Sequence, residues 1–180
     1  MTLSDSMRCV LVALCVAMLS CTDQGELPPT SLRLIASDAD LFRVVTQEQP
    51  FSSYALFPHV DSVTSGTLNG SNAHQPLMRV SMNAIAFNAL SDGRLPAGAS
   101  FPDGSIVFKQ IRQGTETVLY AVMYKERGSP HSGNGWLWAE FQPDGTPFIS
   151  VTRKGTNCTG CHSREQGPQH DFVRTFERQR

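Results

Sequence analysis

The chain has 180 residues, 40% of them hydrophobic, and a formal net charge of -1. That suffices for one domain with its own core and gives no bulk electrostatic basis for binding nucleic acid. Residues 151–180 hold six Lys/Arg against three Asp/Glu, a bias that fits a solvated surface and could also steer an acidic redox partner.

In chain order, Met7 and Arg8 precede CVLVALCVAML, an eleven-residue apolar run. This is the length of a secretory signal core and too short to cross a bilayer. The preceding MTLSDS carries Asp5 and no basic residue, so the expected translation start is Met7. LSCTD resembles a bacterial lipoprotein cleavage box, with Leu19 and Ser20 ahead of Cys21. The expected organisation is a signal segment over 1–21, with Cys21 becoming the lipid-bearing first residue, a tether over 22–36 and a folded domain over 37–180. Ordinary secretion with an unmodified Cys21 is the alternative. Cys9 and Cys15 leave with the signal, so only Cys158 and Cys161 remain, and no pair is left for a structural disulfide.

TDQGELPPTS reads as a polar, proline-stiffened spacer that would lift the domain off a membrane. Ser37 followed by Asp40 resembles a capping box, and DADLFRVVTQEQ continues as a helix stopped before Pro50. SVTSGTLNGSN is loop, PLMRVSM alternates as a strand, and NAIAFNAL reads as a short helix ending at Gly93. SIVFKQI and TVLYAVMYK pair across the RQGTE turn as a hairpin. WLWAEF and TPFISV follow as strands on either side of a PDG turn. About five strands at hairpin spacing, with flanking short helices, predict an α+β domain built on an antiparallel sheet.

The chemistry concentrates in NCTGCHSREQGPQHDFV. Cys158, Cys161 and His162 form C-x-x-C-H, the pattern that attaches a c-type haem: two thiols add to the vinyl groups and the imidazole binds the iron. Such attachment takes place outside the cytoplasm in bacteria, so signal and motif support each other, and a periplasmic location is expected. Three other readings compete. Zinc could use the cysteines with His162 and His170, but adjacent Cys161 and His162 fit one metal poorly. A thioredoxin-like dithiol wants its C-x-x-C early in a βαβ unit. An electron-transfer cytochrome wants a methionine ligand, and no methionine follows His162. Its candidates are Met78, Met82 and Met123, which read as strand core. The iron is therefore expected to keep an open sixth position.

MRVSMNAIAFNAL, FPDGSIVFKQI, VMYKERG, GWLWAEFQPDG and CTGCH followed by DFV together resemble the cytochrome P-460 family and its relatives, the β-sheet cytochromes c′, over residues 76–176. The resemblance implies an antiparallel sheet, helices and a single c-type haem. It further implies either oxidation of hydroxylamine with a haem cross-linked to a lysine, or binding of nitric oxide or carbon monoxide without the cross-link. Alternation places Lys109 on one face with Val107 and Ile111, and Lys109 resembles the family's cross-linking position. Lys125, sharing a face with Leu119, Ala121 and Met123, is the second candidate, and snorkelling to water is the plainer role of each. The family's enzymes also use a distal carboxylate. The matching SPHSGNG has none, His131 being its only titratable side chain. Glu126 and Glu140 are the nearest substitutes and read as surface charges. Phe57 and Phe87 could cap the iron, though both read better as core. The expectation is an exported monohaem protein that binds or oxidises a small nitrogenous ligand, with hydroxylamine turnover weak or absent.

Overall fold

The computed structural model describes residues 34–58, 62–65, 73–164 and 167–174. The signal run, Cys21 and most of the tether lie outside the described residues. Helix α1 (Asp38–Arg43) starts where the capping signal places it. Ser37 Oγ accepts from Asp40 N at 3.2 Å and the Asp40 carboxylate accepts from Ala36 N at 3.1 Å. Ser37 thus satisfies a donor that the first helical turn leaves without a partner, and Asp40 reaches back to the amide just before the cap. A π-helical turn (Val44–Glu48) carries the chain on to Gln49, ahead of Pro50.

Strands β1 (Ala55–Leu56), β2 (Thr64–Ser65), β3 (Leu77–Met82), β4 (Ile106–Gln113), β5 (Glu116–Lys125), β6 (Trp136–Phe141) and β7 (Pro147–Ile149) form one antiparallel sheet. Its order is β1-β3-β4-β5-β6-β7, with β2 also pairing to β3. Among the described residues the sheet thus has seven strands where about five were expected. The additional two, β1 and β2, are two residues long, too short to leave a period in the sequence. Helix α2 (Ala84–Asn88) is capped by Asn83, whose Oδ1 accepts from Ala86 N at 3.1 Å. It ends at Asn88, not at Gly93; a bridge between Ser91 and Arg94 turns the chain instead.

Alternation along the strands divides the sheet into two faces. One carries Ile106, Phe108, Val122, Tyr124, Leu137, Ala139 and Phe141. Against it pack Ile35, Leu41, Val44 and Val45 from the N-terminal helical segment, with Tyr54 and Val151. The rings interlock: Phe51 stacks on Phe108 at 4.6 Å, and Phe42 tilts against Phe141 at 5.3 Å. Each fully buried Leu or Phe here is worth about 1.5–3 kcal/mol against exposure, so this face anchors the fold. The other face carries Val80, Met82, Val107, Met123, Trp136 and Trp138, joined by Phe57, Leu95, Phe101 and Val173. The segment that follows β7, including α3 (Thr159–His162), returns to this second face.

Candidate functional site

A mainly apolar cavity opens on the second face. Its floor is set by strand register. Val80 lies opposite Lys109, Lys109 opposite Ala121, and Ala121 opposite Glu140, one row across β3, β4, β5 and β6. The next row brings Val107, Met123 and Trp138 together. Cys158, Cys161, His162 and Arg174 close the cavity from the C-terminal segment. Strand alternation and the C-x-x-C-H motif, far apart in sequence, thus converge on one volume.

The motif is held tightly. Its first turn is bonded back to Gly155, whose carbonyl accepts from Cys158 N and Thr159 N, both at 2.8 Å. Gly155 has φ +72, and a Cβ there would fall 2.5 Å from Trp138 Cδ1, so a side chain is excluded at this approach. The same indole meets the His162 ring edge-on at 4.8 Å. His162 Nδ1 donates to the Phe172 carbonyl at 2.7 Å, which puts the ring's lone pair on Nε2, the atom that could bind a metal.

Burial sets the protonation of these groups. Burial, followed by the nearby Lys109 ammonium, pushes the His162 imidazole down to about 3. At neutral pH it is uncharged, the form that binds a metal. Burial, then the Glu140 carboxylate, pushes the Cys158 thiol up to about 12. Arg174, 4% exposed, donates from Nη1 to Cys161 Sγ at 2.8 Å. Two thiols, one neutral imidazole and a large, mainly hydrophobic wall fit a covalently held haem.

Of the two lysines, Lys109 lines the cavity and is 8% exposed. Lys125 is buried elsewhere: its Nζ is 2.7 Å from Asp171 Oδ1 and 4.8 Å from the Trp136 ring centroid. Neither lysine snorkels to water. Glu140 overturns its expected role as a surface charge. Its side chain is 12% exposed, lines the cavity, and lies 3.2 Å from His74 Nε2. Glu126 is buried too, but accepts from Ile35 N at 3.0 and 3.2 Å, away from the cavity. Met78 and Met123 line the cavity, whereas Met82 is core beside it. Phe57 is core, as expected. Phe87, 42% exposed on α2, is not. His131 and His170 are not among the lining residues. Among the described residues no three His, Cys, Asp or Glu side chains gather as a metal site of their own would require.

Four contributors were missed from sequence. His74 sits in a glycine- and serine-rich loop with no periodicity to orient it. Asp171, the Phe172 carbonyl and Arg174 follow the motif in an irregular segment. Trp138 and Glu140 could have been found from the alternation of WLWAEF, which puts Trp136, Trp138 and Glu140 on one face. A family model described as Cytochrome P460 matches residues 59–175. No curated protein matches the chain.

Proposed function

The chain belongs to the cytochrome P460 family, whose haem proteins handle nitrogen compounds, and we propose that it is an exported c-type haem oxidoreductase acting on a small nitrogenous substrate such as hydroxylamine. The observation that carries this reading is the row Lys109–Ala121–Glu140 on the floor of the cavity that Cys158, Cys161 and His162 close. Cys158 and Cys161 would hold the haem covalently and His162 Nε2 would bind its iron. The haem, when bound, supplies the site where substrate is held and its electrons are accepted.

The chain's own residues supply the rest. Each electron taken from hydroxylamine on the way to nitric oxide is matched by a released proton, so a base must stand in the site. Glu140 is a carboxylate in the cavity, and His74 at 3.2 Å offers a second group to which a proton can pass. The reason for expecting weak turnover, a loop without a carboxylate, is thereby met from β6 instead. Lys109 lines this cavity and would be the lysine to cross-link a haem held there, whereas Lys125 is bound by Asp171. The electrons would leave to a redox protein of the periplasm. Lipid anchoring through Cys21 would keep the domain at the membrane surface.

Met78 and Met123 on the wall carry the second reading, an electron carrier with a methionine-ligated iron. One experiment separates the two. Protein matured with a c-type system is oxidised, reduced and exposed to carbon monoxide while its absorption is followed, then digested for peptide mass analysis. The expected result is acid-stable haem, ready carbon monoxide binding, turnover of hydroxylamine with an artificial acceptor, and Lys109 joined to the Cys158/Cys161 haem peptide. A six-coordinate iron that resists carbon monoxide and leaves hydroxylamine untouched overturns it.

A further inference from the structure

The segment after the motif joins β5 in a buried ion pair that the proposed chemistry does not use. Lys125 and Asp171 are 2% and 8% exposed and meet at 2.7 Å. Asp171 is bound at three points. Oδ1 accepts from Lys125 Nζ, Oδ2 from Phe101 N at 2.9 Å, and its main-chain carbonyl from Trp136 Nε1 at 2.9 Å. The ammonium also lies over the Trp136 ring at 4.8 Å. Gly135 leaves room for it, since a Cβ there would come 2.9 Å from Nζ.

All this holds two residues of unusual backbone. Asp171 and Phe172 have φ 51 and 67, successive left-handed conformations at non-glycine positions. Such strain persists only where the surroundings over-determine it, and it gathers at functional sites. Here its outcome is specific: the Phe172 carbonyl is presented to His162 Nδ1 at 2.7 Å. A carbonyl can only accept, so the proton sits on Nδ1 and the Nε2 lone pair faces the other way.

We propose that the Lys125–Asp171 pair is a positioning device for the iron ligand, acting through the Phe172 carbonyl to fix the tautomer, orientation and donor strength of His162. The pair touches neither haem nor substrate. A hydrogen bond from the far nitrogen of a metal-bound imidazole raises its basicity and fixes its ring orientation. A stronger donor favours ferric iron, so the clamp lowers the reduction potential of the site. The inference rests on the reading of His162 as the iron ligand.

The test uses the full holoprotein and two variants. The double variant Lys125→Met/Asp171→Asn removes both charges without stranding one in the interior. Trp136→Phe removes only the indole donor to the Asp171 carbonyl while keeping a ring in place. Resonance Raman reads the ferrous iron–histidine stretch, and redox titration reads the potential. Leu41→Ala, on the opposite face of the sheet, serves as a destabilised control. In both variants the stretch should fall in frequency and broaden and the potential should rise, by less in Trp136→Phe; Leu41→Ala should move neither. If the double variant yields no holoprotein, Trp136→Phe alone decides. An unchanged stretch and potential in the variants, or equal shifts in Leu41→Ala, overturns the clamp. A wild type with no iron–histidine stretch at all overturns instead the reading of His162 as ligand.

Discussion

Glu140 illustrates how a single side chain changes meaning with its surroundings. As a letter in WLWAEF it has the composition of a surface charge. On β6 it shares a face with two tryptophans, is 12% exposed, and stands with Lys109 on one floor. The period-2 pattern carried that information, because a residue two places from Trp138 points the same way. His74, its partner, carried no such signal, because loop geometry rather than strand geometry aims its ring. Lys109 was legible for the same reason that Glu140 should have been. Cys158, Cys161 and His162 were legible because their spacing is itself the chemistry. If Glu140 is the base, Glu140→Gln keeps size and hydrogen bonding but removes basicity. Hydroxylamine turnover should then fall by about 10²–10⁴-fold, the usual worth of a positioned acid or base. Carbon monoxide binding to the ferrous protein should be unaltered. Stopped-flow binding and steady-state turnover on one preparation check both halves, and equal losses in the two would point to a disturbed fold.

The strands longer than two residues were legible and the two-residue ones were not. β3 to β6 each hold enough alternation to reveal both period and burial, whereas β1 and β2 owe their existence to the edge of β3. The helical segment shows a different limit. Its start was set by Ser37 and Asp40, but its slackening into a π-turn left no local mark. What ties this segment to the sheet is again a carboxylate read from sequence as surface: Glu126, just past β5, accepts from Ile35 N. Burial raises its carboxyl above the ordinary 4.5 despite the Ile35 amide and Ser129, which pull it down. The folded chain therefore holds this proton more tightly than the unfolded chain does. That contribution is full below about pH 4.5 and is lost as pH rises through the folded value. Glu126→Gln lacks the titration. The stability of wild type minus that of Glu126→Gln should be flat below pH 4.5 and turn against the wild type above it. Urea midpoints from pH 4 to 7 test the sign.

Taken whole, the molecule divides its labour across the thickness of one sheet. The face under α1 is filled with interlocked rings, while the opposite face gives up part of its packing to a cavity. The fold class was legible from turn spacing; this division was not, because both faces are apolar and only long-range contacts tell which is covered. It predicts that damage to one side stays there. Phe108 immediately precedes Lys109 but points to the filled face, where it is 0% exposed. Phe108→Ala should cost about 3–5 kcal/mol of stability. The haem spectrum and ligand affinity of the surviving folded protein should match the wild type, as denaturant melts and spectra on one sample would show. The row through Ala121 has a further meaning for descent. Lys109 and Glu140 ride on strands two steps apart, so their backbones are separated by roughly 9–10 Å through two ladders of hydrogen bonds. Those ladders act as a ruler whose graduations no side-chain substitution can stretch. A one-residue slip of β5 would not lengthen the ruler; it would turn Ala121 over and raise Tyr120 or Val122 in its place. A lineage founded on this sheet is free to change which group stands at each mark, while the interval between the marks is inherited intact.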